Sequence, residues 1–415
     1  MFNTIGKNSH YLGLLSAQVI SLIGTGISVI CLALLAYDLA GKQASMVLSI
    51  TFAIKILTYI FLSPIFASLA HKLPKQQTLV VLDIIRALLF VLIPFVTQVW
   101  QVYLLMFCIN ACSAWFTPQF QSLLSDAFSD KEQYIKALSF SRLAFDLEQI
   151  VSPMLAAILL GSLSFRLIFM FDAASFVISA ILLMFCTVPL KKKALHITSK
   201  LDSSKLLGGS RSYRFLSGVT QGIQNYLAKP RLRALWVAYL SAASASAMVL
   251  VNTVVYVHEI LKGGERETAL FMMLVGLGSM IIALGLPRWL KRYTPQTFHY
   301  LGLLILTLTL CLGLLTPGWL GYVLLCFLLG MGMSAIQTTS SLIIVQTCGD
   351  EDNVPYFAAH FSLTHCWWLL TYLLAGFSVN AFGLSGAYLM MGGLSFISML
   401  VYYLMSSQHG KASFN

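Results

Sequence analysis

The chain has 415 residues, of which 58% are hydrophobic and only 10% charged, and its mean hydropathy is +0.82. A soluble core cannot absorb that much apolar surface, so the composition excludes an ordinary soluble domain. The net charge of +11 invites a nucleic-acid reading, but the basic residues gather at one end of the apolar segments, which points to membrane orientation and anionic lipid instead.

Crossing a bilayer takes about 20 apolar residues in a helix. Windows of that length fall near 11–36, 44–70, 78–98, 100–122, 136–160 and 167–189, then near 234–257, 268–288, 298–316, 319–345, 355–378 and 384–405. Backbone groups in lipid must be satisfied within their own segment, so these windows are predicted helices. The predicted fold is an all-α membrane protein with twelve transmembrane helices in two six-helix bundles. Residues 1–190 make the N-terminal bundle, 191–233 a cytoplasmic basic linker, and 234–415 the C-terminal bundle. With the N-terminus in the cytoplasm, Lys7, Lys72, Lys75, Lys131, Lys136, Arg288, Arg292 and the run from Lys191 to Arg233 all lie inside. Only Lys42, Arg166, Lys262 and Arg266 lie near the outer ends. That bias predicts a multi-pass protein of the cytoplasmic (inner) membrane with both termini inside, and Lys7 ahead of a long first span reads as a retained helix rather than a cleaved signal.

In chain order, the first span ends in a polar turn, Tyr37 to Lys42, where Asp38 closes its helix in water. Lys55 falls about eleven residues into the second span, roughly 16 Å deep. Charged groups inside spans are costly, by about 2.5–3.5 kcal/mol at a helix centre, so each asks for a reason. Asp83 and Arg86 occupy the first turns of the third span beside the loop with His71 and Lys72, and read as a cytoplasmic gate. In the fifth span Arg142 and Asp146 share a face, with Glu148 turned away from Asp146. Asp172, just inside the sixth span, reads as packing or an outer-end contact. Lys55 and Arg142 are the predicted fixed cations of a central cavity, with Asp146 or Glu148 as proton carrier; the plainer reading has Arg142 and Asp146 neutralising one another.

Within the linker, Phe215, Val219, Ile223 and Leu227 recur every four residues among basic neighbours. That spacing predicts an amphipathic helix in the cytoplasmic interface. The turn from Tyr256 to Gly263 echoes Tyr37 to Lys42, and the basic loop at Arg288–Arg292 echoes His71–Lys75, so the chain reads as a repeat of six spans with a midplane substrate site. The eleventh span carries a polar and aromatic stripe of Tyr356, His360, Thr364 and Trp367, with His365 facing away. His360 and Trp367 are predicted substrate or proton ligands, the first because it titrates in the useful range, the second because it can stack on a conjugated solute. The eight cysteines are scattered small core residues, and although Cys108 and Cys112 share a face, no His or acid joins them. No metal and no cofactor is expected.

These features resemble the major facilitator superfamily, and within it the macrolide-efflux and enterobactin-exporter-like branch. The resemblance rests on Tyr37 to Gly41, Ser63-Pro64 with Lys72, Lys75, Asp83 and Arg86, and Pro118 to Asp126. It rests also on Ser152-Pro153, Asp172 to Phe176, Gly222-Ile223 and Pro230 to Arg233. It implies a monomeric secondary transporter working by alternating access, whose partners are a small-molecule substrate, protons and the lipid bilayer. Proton-coupled export of a drug or siderophore is expected, and Lys55 with Arg142 tilts the solute towards an anion. The resemblance also implies a cytoplasmic latch where His71 replaces the usual acid, and a glycine-rich fifth span where Ser139, Glu148 and Ser152 replace glycines. An organic-anion importer shows the same charges. An intramembrane enzyme would need a convergent nucleophile and base, and His360 and His365 have no acid near them on their span.

Overall fold

A computed structural model describes residues 9–69, 73–127, 148, 151–152, 155–186, 222–348 and 354–412. Among them are helices and short connections and no strand, and nine stretches are long and apolar enough to cross a membrane. Two of these stretches are double, because Leu12–Leu62 contains the short turn Gly41–Gln43 and Ala359–Ser406 contains the break at Gly383. Both glycines have positive φ, +53° and +73°, with open space where a Cβ would sit. A side chain there would meet no neighbour, so the backbone conformation alone demands glycine.

Helix α1 runs Ser9–Ala40, α2 Ala44–Leu69, α3 Lys75–Leu92 and α4 Val99–Ala127. Of α5, the structure describes Glu148, 151–152 and 155–160; α6 runs Phe165–Phe185. Then come α7 Pro230–Ile260, α8 Glu265–Trp289, α9 Pro295–Gly313 and α10 Trp319–Cys348, with α11 and α12 at 354–382 and 384–412. Pro94 stops α3 at Leu92, short of the predicted end at 98, because a proline nitrogen cannot donate to the preceding turn. Side chains start several others: Ser164 Oγ accepts from Leu167 N–H at 3.4 Å, Thr294 Oγ1 from Thr297 N–H at 3.4 Å, and Glu267 Oε2 from Gly264 N–H at 2.9 Å.

In the first half α1 and α3 pack on α6, and α4 packs on α2 and α3; in the second, α8 and α9 flank α10 while α7 lies on α11 and α12. Small residues set the closest approaches. A Cβ on Gly278 of α8 would run into the Phe327 carbonyl of α10, and one on Gly330 of α10 would run into the Val275 carbonyl of α8. The two backbones touch reciprocally. On α5, Ser152, Ala156 and Ala157 are buried as close packing requires. α7 departs from regular α geometry over Met248–Asn252 and Tyr256–Ile260, two wider π turns.

Most of the linker stripe, Phe215 and Val219 included, lies outside the described residues. Its end is helical over 222–228, with Tyr226 fully buried and Ile223 and Leu227 packed against the hydrophobic core. That end docks on protein where lipid was expected, because Tyr226 Oη has a partner in His360 of α11 at 2.8 Å.

Candidate functional site

The two halves of the molecule meet at the far end of the spans, where α1 turns into α2. Tyr37 Oη donates to Glu259 Oε1 at 2.8 Å, and Lys42 Nζ lies 3.5 Å from Glu259 Oε2. The Tyr37 and His258 rings pack at a tilt of 32° with centroids 4.0 Å apart, and His258 Nδ1 is held by the Val254 carbonyl at 2.9 Å. Asp38 does more than end its helix: Arg166 donates to its Oδ2 at 2.6 Å and to the Pro94 carbonyl at 2.8 Å. Deeper in, Gly376 of α11 is pressed against Ser49 of α2, with no room for a Cβ. The Phe52 and Tyr372 rings follow at 5.1 Å, and Tyr372 Oη lies 3.4 Å from Ser246 Oγ of α7. Contact between the halves thus reaches at least about 12 Å along α2.

Lys55 lies one turn beyond Phe52, just past this closure, and is half-buried. Glu148 of α5 is its electrostatic partner among the described residues, yet no direct ion pair joins them. Glu148 is held against α1, its Oε1 2.7 Å from where a Cβ on Gly26 would sit, while Ser152 Oγ donates to the Ile23 carbonyl at 3.2 Å. The glycine that admits this close approach is therefore on α1, opposite the serine and glutamate of α5. One turn past Lys55, the Tyr59 hydroxyl lies near Ser113 and Thr117 of α4. A lysine at this depth without a contact counter-ion is a costly arrangement unless an anion or water completes it. Arg142, Asp146, His71 and Lys72 lie outside the described residues.

Asp83 and Arg86 form a buried ion pair. Ser179 Oγ of α6 donates to Asp83 Oδ2 at 2.7 Å, and the Arg86 guanidinium lies between the Phe116 and Phe176 rings, 4.2 and 4.3 Å from their centroids. Because α3 begins at Lys75 and not near 78, the pair falls about 12 and 16 Å along the helix, inside the bundle. It ties α3 to α4 and α6. Asp172, about 10 Å along α6, is fully buried and packed against Gly24 of α1.

In the second half His360 is buried between Tyr226 Oη and the Tyr239 ring, which it meets edge-on at 4.6 Å. Trp367 donates its indole N–H to the Trp236 carbonyl at 3.0 Å, Trp236 donates to the Leu363 carbonyl at 3.0 Å, and the two rings stack at 4.8 Å. The ring and donor predicted to meet a solute are engaged in clamping α7 to α11. Sequence reading missed Glu259, Gly26, Phe52 and Tyr372. The glycine pair Gly24 and Gly26 inside a span was a visible signal; the aromatic closure had none.

The family model of the Major Facilitator Superfamily matches residues 14–364. The chain belongs to that superfamily. It is 27% identical over 174 residues to an uncharacterized MFS-type transporter, YfiS, of Bacillus subtilis (strain 168), and the match spans 41% of either chain. Among solved structures it is similar to the nucleoside transporter NupG, with TM-score 0.72 and 12% identity over 95% of this chain and 99% of that one. It is similar also to a POT family transporter in complex with 5-aminolevulinic acid (0.73, 13%, 98% of each chain). A bacterial homolog of the human lysosomal transporter Spinster, inward-facing and unoccupied, gives 0.71 and 12% over 97% and 98%. At these identities the likeness is one of fold. The relatives are transporters and not enzymes, and this major facilitator is an integral, multi-pass membrane protein.

Proposed function

We propose that this protein is a proton-coupled secondary transporter that works by alternating access and exports a small organic molecule across the cytoplasmic membrane. What supports the reading is the pair Lys55 and Glu148: Lys55 lies one turn beyond Phe52, which meets Tyr372 of the second half, and Glu148 is its electrostatic partner without direct contact. Closure at the far end, seen among the described residues, is what alternating access requires of one of its two end states.

The pair ties the charge of the solute to the direction of transport. A solute bringing a cationic group to Glu148 competes with the proton there, so inward protons drive it out. A solute bringing anionic oxygens to Lys55 competes instead with Glu148, binds better when Glu148 is protonated, and travels with the proton. Export by exchange therefore goes with a drug-like cation or zwitterion, and a siderophore-like or other organic anion goes with import, the second reading that Lys55 supports. Arg142 and Asp146 belong to the same proposed cavity by their place in the sequence.

Proton movement in proteoliposomes, followed while siderophores, dicarboxylates and cationic drugs are added in turn, tests both. Export predicts proton movement opposite to a cationic solute, lost in Glu148→Gln. Import predicts movement with an anion, lost in Lys55→Ala. Transport unaltered by both substitutions would overturn the proposed site.

A further inference from the structure

On the outer side of the first half a cleft of about 230 Å³ opens between α1, α5 and α6. It faces the membrane: Phe171, which lines it, is 49% exposed. Ile20, Leu159 and Phe171 make its walls apolar, and Asp172 with Ser175 makes its floor. Gly24 of α1 lies directly over these two; a Cβ there would run into both side chains. The carboxyl is 1% exposed and about 10 Å along α6.

Its polar contacts leave one oxygen over. Ser175 Oγ donates to the Asp172 carbonyl at 2.7 Å and lies 3.1 Å from Oδ1, while Oδ2 has no hydrogen-bond partner. Ser28 Oγ is nearby but outside bonding geometry. Among the described residues the charged groups that act on Asp172 are Arg86 on α3, already paired with Asp83, and Glu148 on α5, a second acid. Asp172 makes no ion pair among the described residues.

We infer that this cleft is a second ligand site, separate from the pathway between the halves, for a small hydrophobic amine that enters from the lipid and sets its ammonium on Asp172 Oδ2. Ligand sites are mostly apolar with a few convergent polar groups, and this one offers apolar walls and one unmet acceptor. An anion is repelled by the carboxylate and by Glu148. A neutral apolar molecule fills the walls but leaves a buried acceptor unmet. An amine with a single ring and a short chain matches the volume, and it partitions into lipid in its neutral form. The inference does not rest on the proposed transport reaction: Lys55 is not among the charged groups that act on Asp172.

The test is equilibrium binding of tritiated phenethylamine to the full-length protein in lipid nanodiscs, with protein-free nanodiscs as the background. Saturable one-to-one binding is expected in the wild type, weakened at least tenfold in Asp172→Asn. Leu159→Trp fills the cleft without touching the carboxyl and is expected to weaken binding as much, which keeps the test decisive if Asp172→Asn fails to fold. Phenethyl alcohol, the neutral isostere, is expected not to displace the amine. Binding retained in Leu159→Trp, or displacement by the alcohol, would overturn the inference.

Discussion

Tyr37→Phe isolates one bond of the far-end closure. The ring stays on His258 at 4.0 Å, while the 2.8 Å hydrogen bond to Glu259 is lost. A hydrogen bond to a charged group contributes about 1.5–3 kcal/mol. The remaining Lys42 to Glu259 pair, whose lysine side chain is 82% exposed, adds no more than about 1 kcal/mol. Taking about 2 kcal/mol for the lost bond, the closed form loses ~30-fold in population relative to the open one, since 1.4 kcal/mol is a factor of ten. Spin labels at Gln43 and Arg266, placed after replacement of the eight native cysteines, report the distance across the seam by double electron–electron resonance. The expected result is growth of a longer-distance population in Tyr37→Phe, a similar growth in Glu259→Gln, and little further change when the two are combined. Distance distributions that match the wild type, or effects that simply add in the double variant, refute the argument that this bond holds the halves together.

Gly26→Ala drives a Cβ into Ser152 and Glu148 and is expected to cost about 1–3 kcal/mol by overpacking; thermal unfolding should show a lower midpoint, largely recovered by adding Ser152→Gly. Arg86→Ala leaves Asp83 buried with Ser179 as its remaining partner, which predicts a loss of about 3–5 kcal/mol and poor yield of folded protein, whereas Arg86→Met with Asp83→Leu should melt near the wild type. Trp367→Phe keeps the stack on Trp236 but removes the N–H donated to its carbonyl; about 1 kcal/mol of stability should go, with solute affinity unmoved. A large drop in affinity with unchanged melting would return Trp367 to the binding surface.

The helices were legible because the bilayer imposes a length and an apolar composition that a sequence displays openly. Lys55 was legible too, since depth follows from counting residues along a straight helix. What could not be read is pairing across the molecule. Tyr37 and Glu259 are 222 residues apart, and although the two turns that carry them echo one another, nothing local says that they touch. The polar stripe of α11 was visible as a stripe, but periodicity does not tell a face turned to a cavity from one turned to another helix, and Trp367 faces Trp236. Asp83 and Arg86 lie three residues further into α3 than a start near 78 implies, because the helix begins earlier, after Pro74, ahead of its apolar window.

The reciprocal contact of Gly278 and Gly330 has a mechanical meaning. Two helices whose main chains touch, each with a hydrogen where a methyl group would collide, have no soft side-chain layer between them to shear. α8 and α10 must then turn as one stiff strut. Any rocking of the second half against the first is passed along that strut undamped, and the compliance it needs falls to α7, whose two wider turns lie at the seam.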